Sequence, residues 1–125
     1  MLKKTLLVVA FASLACAAFA QGIKRTPLQK IDFPDGYTTV TAIAELAPGA
    51  AAGRHTHPGV ETGYVMEGEV ELLVEGQPSK TLKAGDSYVI PAGTVHDAKT
   101  HGDKALKILG IYIYDKTKPL ATPAP

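Results

Sequence analysis

The feature that most restricts the fold of this chain is a series of short apolar runs, each followed by a glycine or proline turn. In residues 69–75, valine and leucine alternate with glutamate, the pattern of a strand with one face in a core and the other in water. Gly68 and Gly85 lie at turns, where a positive φ favours glycine. No segment after residue 20 has a helical period of useful length. The pattern predicts a single all-β domain, a barrel or a sandwich, with strands near residues 37–46, 61–66, 69–75, 80–82, 87–90, 95–98 and 105–114.

The first twenty residues have the pattern of an export signal. Two lysines precede an apolar stretch over residues 6–18, and Ala-Phe-Ala at 18–20 resembles a cleavage site. The stretch is short for a membrane span. We therefore expect residues 1–20 to be a cleaved signal peptide and the protein to be periplasmic or secreted, with no membrane attachment afterwards. Cys16 leaves a lipoprotein as the alternative.

The remaining chain has nearly balanced charge. The full sequence carries a net charge of +1, and the signal contributes two of its positive charges. No basic excess is left to attract nucleic acid. We expect residues 21–36 to form an extended N-terminal arm, 37–115 the barrel, and 116–125 a flexible, proline-rich tail. The arm pairs either with its own barrel or with a neighbouring chain, so a homodimer is one of two open arrangements.

Three histidines and one glutamate form a candidate metal site. His55 and His57 project to the same side of an extended strand, because strand side chains alternate. Glu61 follows a Pro-Gly bend, and His96 lies on another strand from which it could close the site. This ligand set suits one divalent transition metal, Fe, Mn, Ni, Cu or Zn, better than Mg or Ca. Taken singly, each histidine could equally be an ordinary loop residue.

The spacing of these residues resembles the two signature motifs of the cupin superfamily. One position departs, since Thr100 stands where the second motif usually ends in an asparagine that is not a metal ligand. The resemblance implies a single-domain jelly-roll β-barrel of two antiparallel sheets, with the metal held between them by the three histidines and, less dependably, by Glu61. The matching residues are Gly49, His55, His57, Glu61, Gly68, Gly85, Pro91, Gly93 and His96.

A site with three histidine ligands leaves coordination positions open, which is typical of a catalytic metal. The resemblance to small cupins favours a dioxygenase-like enzyme that acts on a small organic molecule, with Glu61 either a ligand or the general base. An isomerase or decarboxylase could use the same residues. The alternatives are a non-catalytic periplasmic ligand-binding or accessory protein and a metal-free barrel. Polar groups around the metal would favour catalysis, whereas a purely aliphatic wall would favour ligand capture.

Several neighbouring side chains are ambiguous from sequence. Tyr64, Tyr88, Tyr112 and Tyr114 could line the pocket, but we expect at least half of them to be packing residues. Arg54 and Asp97 adjoin the histidines in sequence. Strand alternation predicts that both point away from the metal.

Overall fold

The computed structural model describes residues 22–125, and the expected signal peptide and Cys16 lie outside the described residues. Within this range, no helix has the length and apolar character needed to cross a bilayer. The described residues form ten strands, which are β1 Ile23–Ile31, β2 Tyr37–Leu46, β3 His55–Thr56, β4 Gly59–Glu67, β5 Glu69–Val74, β6 Lys80–Lys83, β7 Ser87–Ile90, β8 His96–His101, β9 Leu106–Asp115 and β10 Thr122–Pro123.

The strands form two five-stranded antiparallel sheets, which confirms the expected all-β jelly roll. One sheet has the order β1-β2-β9-β4-β7 and the other β10-β3-β8-β5-β6. The longest pairing joins β2 to β9 from Tyr37↔Asp115 to Leu46↔Leu106. Gly68 and Gly85 lie at short turns where the chain passes from one sheet to the other, and they take φ values of +78° and +97°, as expected.

The core lies between the two sheets and follows directly from the alternation in the sequence. In β2, every second residue from Thr38 to Leu46 is buried. In β5, Val70 and Leu72 are buried while Glu69 is exposed. The side chains that fill the main cluster are small or branched and come from both sheets, namely Ala44, Leu46, Ala52, Val65, Val70, Ala98, Leu106 and Ile108.

The arm of residues 21–36 contains β1, which pairs with β2 of the same chain. The pairing runs from Ile23↔Leu46 to Ile31↔Thr39, with an irregularity between Pro27 and Gln29. A proline cannot donate to a ladder, so this position suits an edge strand. The arm thus extends one sheet and places its inward-facing side chains over the barrel interior.

The C-terminal tail, predicted from sequence to be flexible, instead lies along the barrel. β10 pairs with β3, and the Ala124 amide donates to the Arg54 carbonyl at 2.9 Å. Leu120 packs against the small cluster around Tyr112. Prolines remove backbone donors but leave carbonyl acceptors and apolar rings, so an extended, proline-rich segment can still close the edge of a sheet.

Candidate metal centre

The structure brings all four candidate ligands together inside the barrel. His55 lies on β3 and is paired in register with His96 on β8, while Glu61 lies on β4 and His57 on the connection before it. One ligand atom from each residue lies within 4.8 Å of the others. All four side chains are buried, at 5% exposure or less. The four residues that the sequence motifs singled out therefore lie together in the structure.

Backbone carbonyls orient the three imidazoles. The Nδ1 atoms of His55, His57 and His96 lie 2.6, 2.7 and 2.9 Å from the carbonyl oxygens of Gly53, Leu120 and Thr94, respectively. A carbonyl only accepts, so each Nδ1 donates and carries the proton. Each Nε2 is then left as a lone pair that faces the centre of the cluster. Metal-binding histidines are commonly oriented in this way.

The atoms that face the centre of the cluster are hydrogen-bond acceptors. Glu61 Oε2 lies 2.8 Å from His57 Nε2 and 3.2 Å from His96 Nε2. In spite of this proximity, His57 Nε2 has no partner in hydrogen-bonding geometry among the described residues. Converging lone pairs require a proton or a metal ion between them. Three imidazole nitrogens and one carboxylate fit a divalent transition metal.

The protonation states favour metal binding near neutral pH. Burial is the main cause that lowers the pKa of His55 to about 4; the contact with the Gly53 carbonyl opposes it, and the positive charge of Arg25 acts in the same direction as burial. Burial raises the pKa of Glu61, but the contacts of its carboxylate with the imidazoles of His57 and His96 and with the Tyr88 hydroxyl outweigh it and hold this pKa well below its usual range. His55 is therefore neutral and Glu61 ionised, the forms in which these side chains bind a metal.

Two tyrosines and one arginine surround the ligands. Tyr88 donates to Glu61 Oε1 at 2.7 Å, and the Tyr112 ring lies 5.2 Å from the ring of His57. Burial is the main cause that raises the pKa of Tyr112 to about 12 and the pKa of Tyr88 well above its usual value. Both hydroxyls therefore remain protonated. Arg25 on β1 donates from Nε to the Tyr112 hydroxyl at 3.4 Å.

Of the four tyrosines considered from sequence, two lie at the site. Tyr64 is about half exposed, and Tyr114, like Leu120, packs against the small cluster that contains Tyr112. Arg54 points outward to Glu75, at 2.8 Å. Asp97 is buried but outside the ligand cluster. Arg25 was missed because nothing in a short extended arm marks one basic residue as inward-facing until the register of β1 on β2 is known.

Two glycines make room for the tyrosines. A Cβ at Gly63 would overlap the Tyr88 ring, and a Cβ at Gly110 would come within 2.8 Å of the Tyr112 hydroxyl. Gly63 is paired with both Tyr88 and Gly110. Neither glycine has a positive φ. Their role is therefore to provide space, which the sequence pattern alone does not reveal.

The interior space beside the ligands is small. It measures about 10 Å³ and is lined by both sheets, with His55, Glu61, His96, Tyr88 and Arg25 as its polar members. This volume holds about one water molecule or one ion. The partly exposed lining residues lie on β1 and β7, the two edge strands of one sheet.

Comparison with known proteins agrees with this geometry. The family model described as the cupin domain matches residues 42–112. A germin-like protein of Arabidopsis thaliana, subfamily 2 member 2, is 32% identical over 90 residues, which cover 68% of this chain and 41% of that protein. The dimethylsulfoniopropionate lyase DddQ of Ruegeria pomeroyi is 35% identical over 69 residues, 54% of this chain and 34% of the lyase.

Solved structures share the fold. The crystal structure of the same lyase superposes with a TM-score of 0.71 at 23% identity, covering 90% of this chain and 57% of the lyase. A structure of oxalate oxidase superposes with a TM-score of 0.67 at 25% identity, covering 86% of this chain and 58% of the oxidase. The chain spans less than half the length of the curated relatives it matches.

Proposed function

Because the chain belongs to the cupin domain family and brings four metal-ligating side chains together, we propose that it is a mononuclear metal-dependent enzyme acting on a small organic substrate. The observation that carries the proposal is the set of three Nε2 lone pairs and one carboxylate, preoriented by carbonyl contacts to each Nδ1. His55, His57, His96 and Glu61 would hold the ion. A bound divalent transition metal would supply a Lewis acid with open positions for substrate.

The surroundings of the ligands favour catalysis over simple ligand capture. Arg25, Tyr88 and Tyr112 provide hydrogen-bond donors next to the ligands, whereas a capture site would need only an apolar wall. Tyr88 holds one oxygen of Glu61 and thereby fixes the other toward the histidines. Glu61 then serves as a ligand or, when its oxygen is displaced, as a general base within reach of a substrate proton.

For the reaction itself we favour a dioxygenase-like oxidation. Among the structural relatives is an oxalate oxidase, and histidine-rich sites with open positions suit redox metals. The similarity to a dimethylsulfoniopropionate lyase supports a second candidate, non-redox elimination, isomerisation or decarboxylation with Glu61 as the base. Oxygen consumption separates the two candidates.

We also propose that the protein is exported from the cytoplasm. The signal-like segment at residues 1–20 would deliver the chain to the periplasm or the medium, where it would acquire its metal. Fractionation of cells that express the full chain, with N-terminal sequencing of the product, tests this. We expect a mature protein that begins at Gln21. A cytoplasmic product with residues 1–20 retained would contradict it.

The function is tested by elemental analysis of protein purified without chelator, followed by a substrate screen with an oxygen electrode. We expect about one equivalent of a transition metal in the wild type and in His101→Ala, a variant of an exposed histidine, and loss of the metal in His96→Ala. No metal in the wild type after reconstitution would refute the enzyme proposal. Stoichiometric metal with ligand binding but no turnover would favour the non-catalytic alternative.

A further inference from the structure

We propose that Arg25 makes this site selective for anionic ligands, and that the substrate is a small organic carboxylate. The inference rests on the proposed metal function and adds the substrate class and the residue that selects it. It concerns β1, a part of the chain outside the residues that the cupin family model matches.

The register of β1 places Arg25 inside the barrel. Arg25 is paired with Ala44, a core residue of β2, and it is half-buried while Lys24 beside it is exposed. Its Nη2 lies 3.5 Å from His55 Nε2, and its guanidinium carbon lies 5.7 Å from the centre of the Tyr112 ring. A permanent positive charge is therefore held directly beside the ligand cluster.

This contact and a bound metal compete for the same atom. His55 Nε2 has one lone pair, which either accepts from Arg25 or binds the ion. Metal binding therefore removes an acceptor from the guanidinium and places a second cation next to it. Because one carboxylate, Glu61, offsets only half of the charge of a divalent ion, the loaded site carries about two positive charges in a desolvated region.

An anionic ligand resolves this imbalance. Among the described residues that line the space, Glu61 is the sole acidic side chain, and an anionic ligand would add a second negative charge beside it. A guanidinium binds a planar carboxylate through two parallel hydrogen bonds. Because the interior space of about 10 Å³ holds about one ion, only a small group such as a carboxylate could approach a bound metal from the side of Arg25.

The test measures ligand binding without turnover. The wild type, Arg25→Gln and Arg25→Lys are loaded with Co²⁺, whose visible absorption reports changes in its coordination, and are titrated at constant ionic strength. The probes are acetate, its neutral counterpart acetamide, and phosphate. Arg54→Gln is the matched control, because it removes an exposed arginine paired with Glu75 and changes the net charge equally.

We expect the wild type and Arg54→Gln to bind acetate more tightly than acetamide or phosphate. Arg25→Gln should lose about 10- to 100-fold in acetate affinity, the effect of a hydrogen bond between charged groups, with acetamide unchanged and Co²⁺ bound at least as tightly. Arg25→Lys should recover part of the acetate affinity. Unchanged acetate affinity in Arg25→Gln, or a preference for phosphate in the wild type, would refute the role of Arg25 but leave the proposed metal-dependent function intact. Failure of the wild type to bind Co²⁺ would refute both.

Discussion

At the scale of single residues, the site depends on two glycines, which have no side chain, as well as on the four candidate ligands. Gly63 and Gly110 face each other across β4 and β9, and their lack of a Cβ leaves the room that the Tyr88 and Tyr112 side chains occupy. Tyr88 in turn holds Glu61. The candidate ligand Glu61 is thus supported through Tyr88 by a glycine on its own strand, two residues away.

A methyl group at Gly63 should therefore disturb the site. In Gly63→Ala the new Cβ would overlap the Tyr88 ring, and we expect a loss of about 1–3 kcal/mol in the free energy of unfolding, as is usual for overpacking. Urea denaturation of the metal-free protein measures it. On a Tyr88→Ala background, where the ring is gone, the same substitution should cost much less. Equal costs on both backgrounds would contradict this account.

The hydroxyl of Tyr88 has an effect of its own. In Tyr88→Phe a buried carboxylate oxygen of Glu61 loses its donor at 2.7 Å. We expect the metal-free protein to lose about 1.5–3 kcal/mol of stability, the range for hydrogen bonds to charged groups. The control Tyr64→Phe alters a tyrosine that is about half exposed and should change stability little. Equal stability of Tyr88→Phe and wild type in urea would mean that the hydroxyl does not support Glu61.

Some site residues can be predicted from the sequence because a motif fixes their spacing, whereas others depend on how the strands pair. The spacing of His55, His57, Glu61 and His96 matches the cupin motifs, so the sequence identifies them as candidates, and the structure brings them together. Arg25 and the two glycines carry no such signal. Their importance comes from cross-strand register, which depends on contacts between residues distant in sequence.

At the scale of elements, strands flanked by clear turns were predictable and the two-residue strands were not. β2 and β7 have the predicted bounds, because alternation and flanking turns determine them locally. β3 and β10, each two residues long, exist only through pairing with each other and with β8. An isolated pair of residues has no periodicity to detect.

The tail is an element with a direct link to the metal site. The Leu120 carbonyl is 2.7 Å from Nδ1 of His57, so residues beyond β9 help to orient a ligand. Deleting residues 119–125 should weaken Co²⁺ binding by about 10- to 100-fold, as loss of an outer hydrogen bond to a ligand typically does. Deleting only residues 124–125 removes the contacts to Arg54 but keeps Leu120, and should leave the affinity nearly unchanged. Equal affinities in the two truncated proteins, with circular dichroism showing both folded, would contradict this role.

At the scale of the whole molecule, the ligands connect the two sheets. Glu61 belongs to the sheet that contains β2, and His55 and His96 belong to the other. A shared ion would therefore crosslink the sheets. Because the unfolded chain has no such site, we expect Co²⁺ at a hundredfold excess over its dissociation constant to add about 2.7 kcal/mol of stability. Thermal unfolding with and without Co²⁺ measures this, and His96→Ala should show no increase.

The metal-free protein should lose stability in acid because His55 and Glu61 are buried in their unprotonated forms. The folded state holds the pKa of His55 at about 4, against 6.5 for the free side chain. Below pH 6.5 the unfolded chain therefore binds a proton that the folded protein excludes, and stability falls as the pH drops toward 4, by about 3 kcal/mol at most. The lowered pKa of Glu61 acts in the same direction below pH 4.5. Urea denaturation from pH 7.5 to 4.5 should show a steep decline in the wild type and in His101→Gln but a shallower one in His55→Gln. Parallel declines in all three proteins would locate the acid sensitivity outside the metal centre.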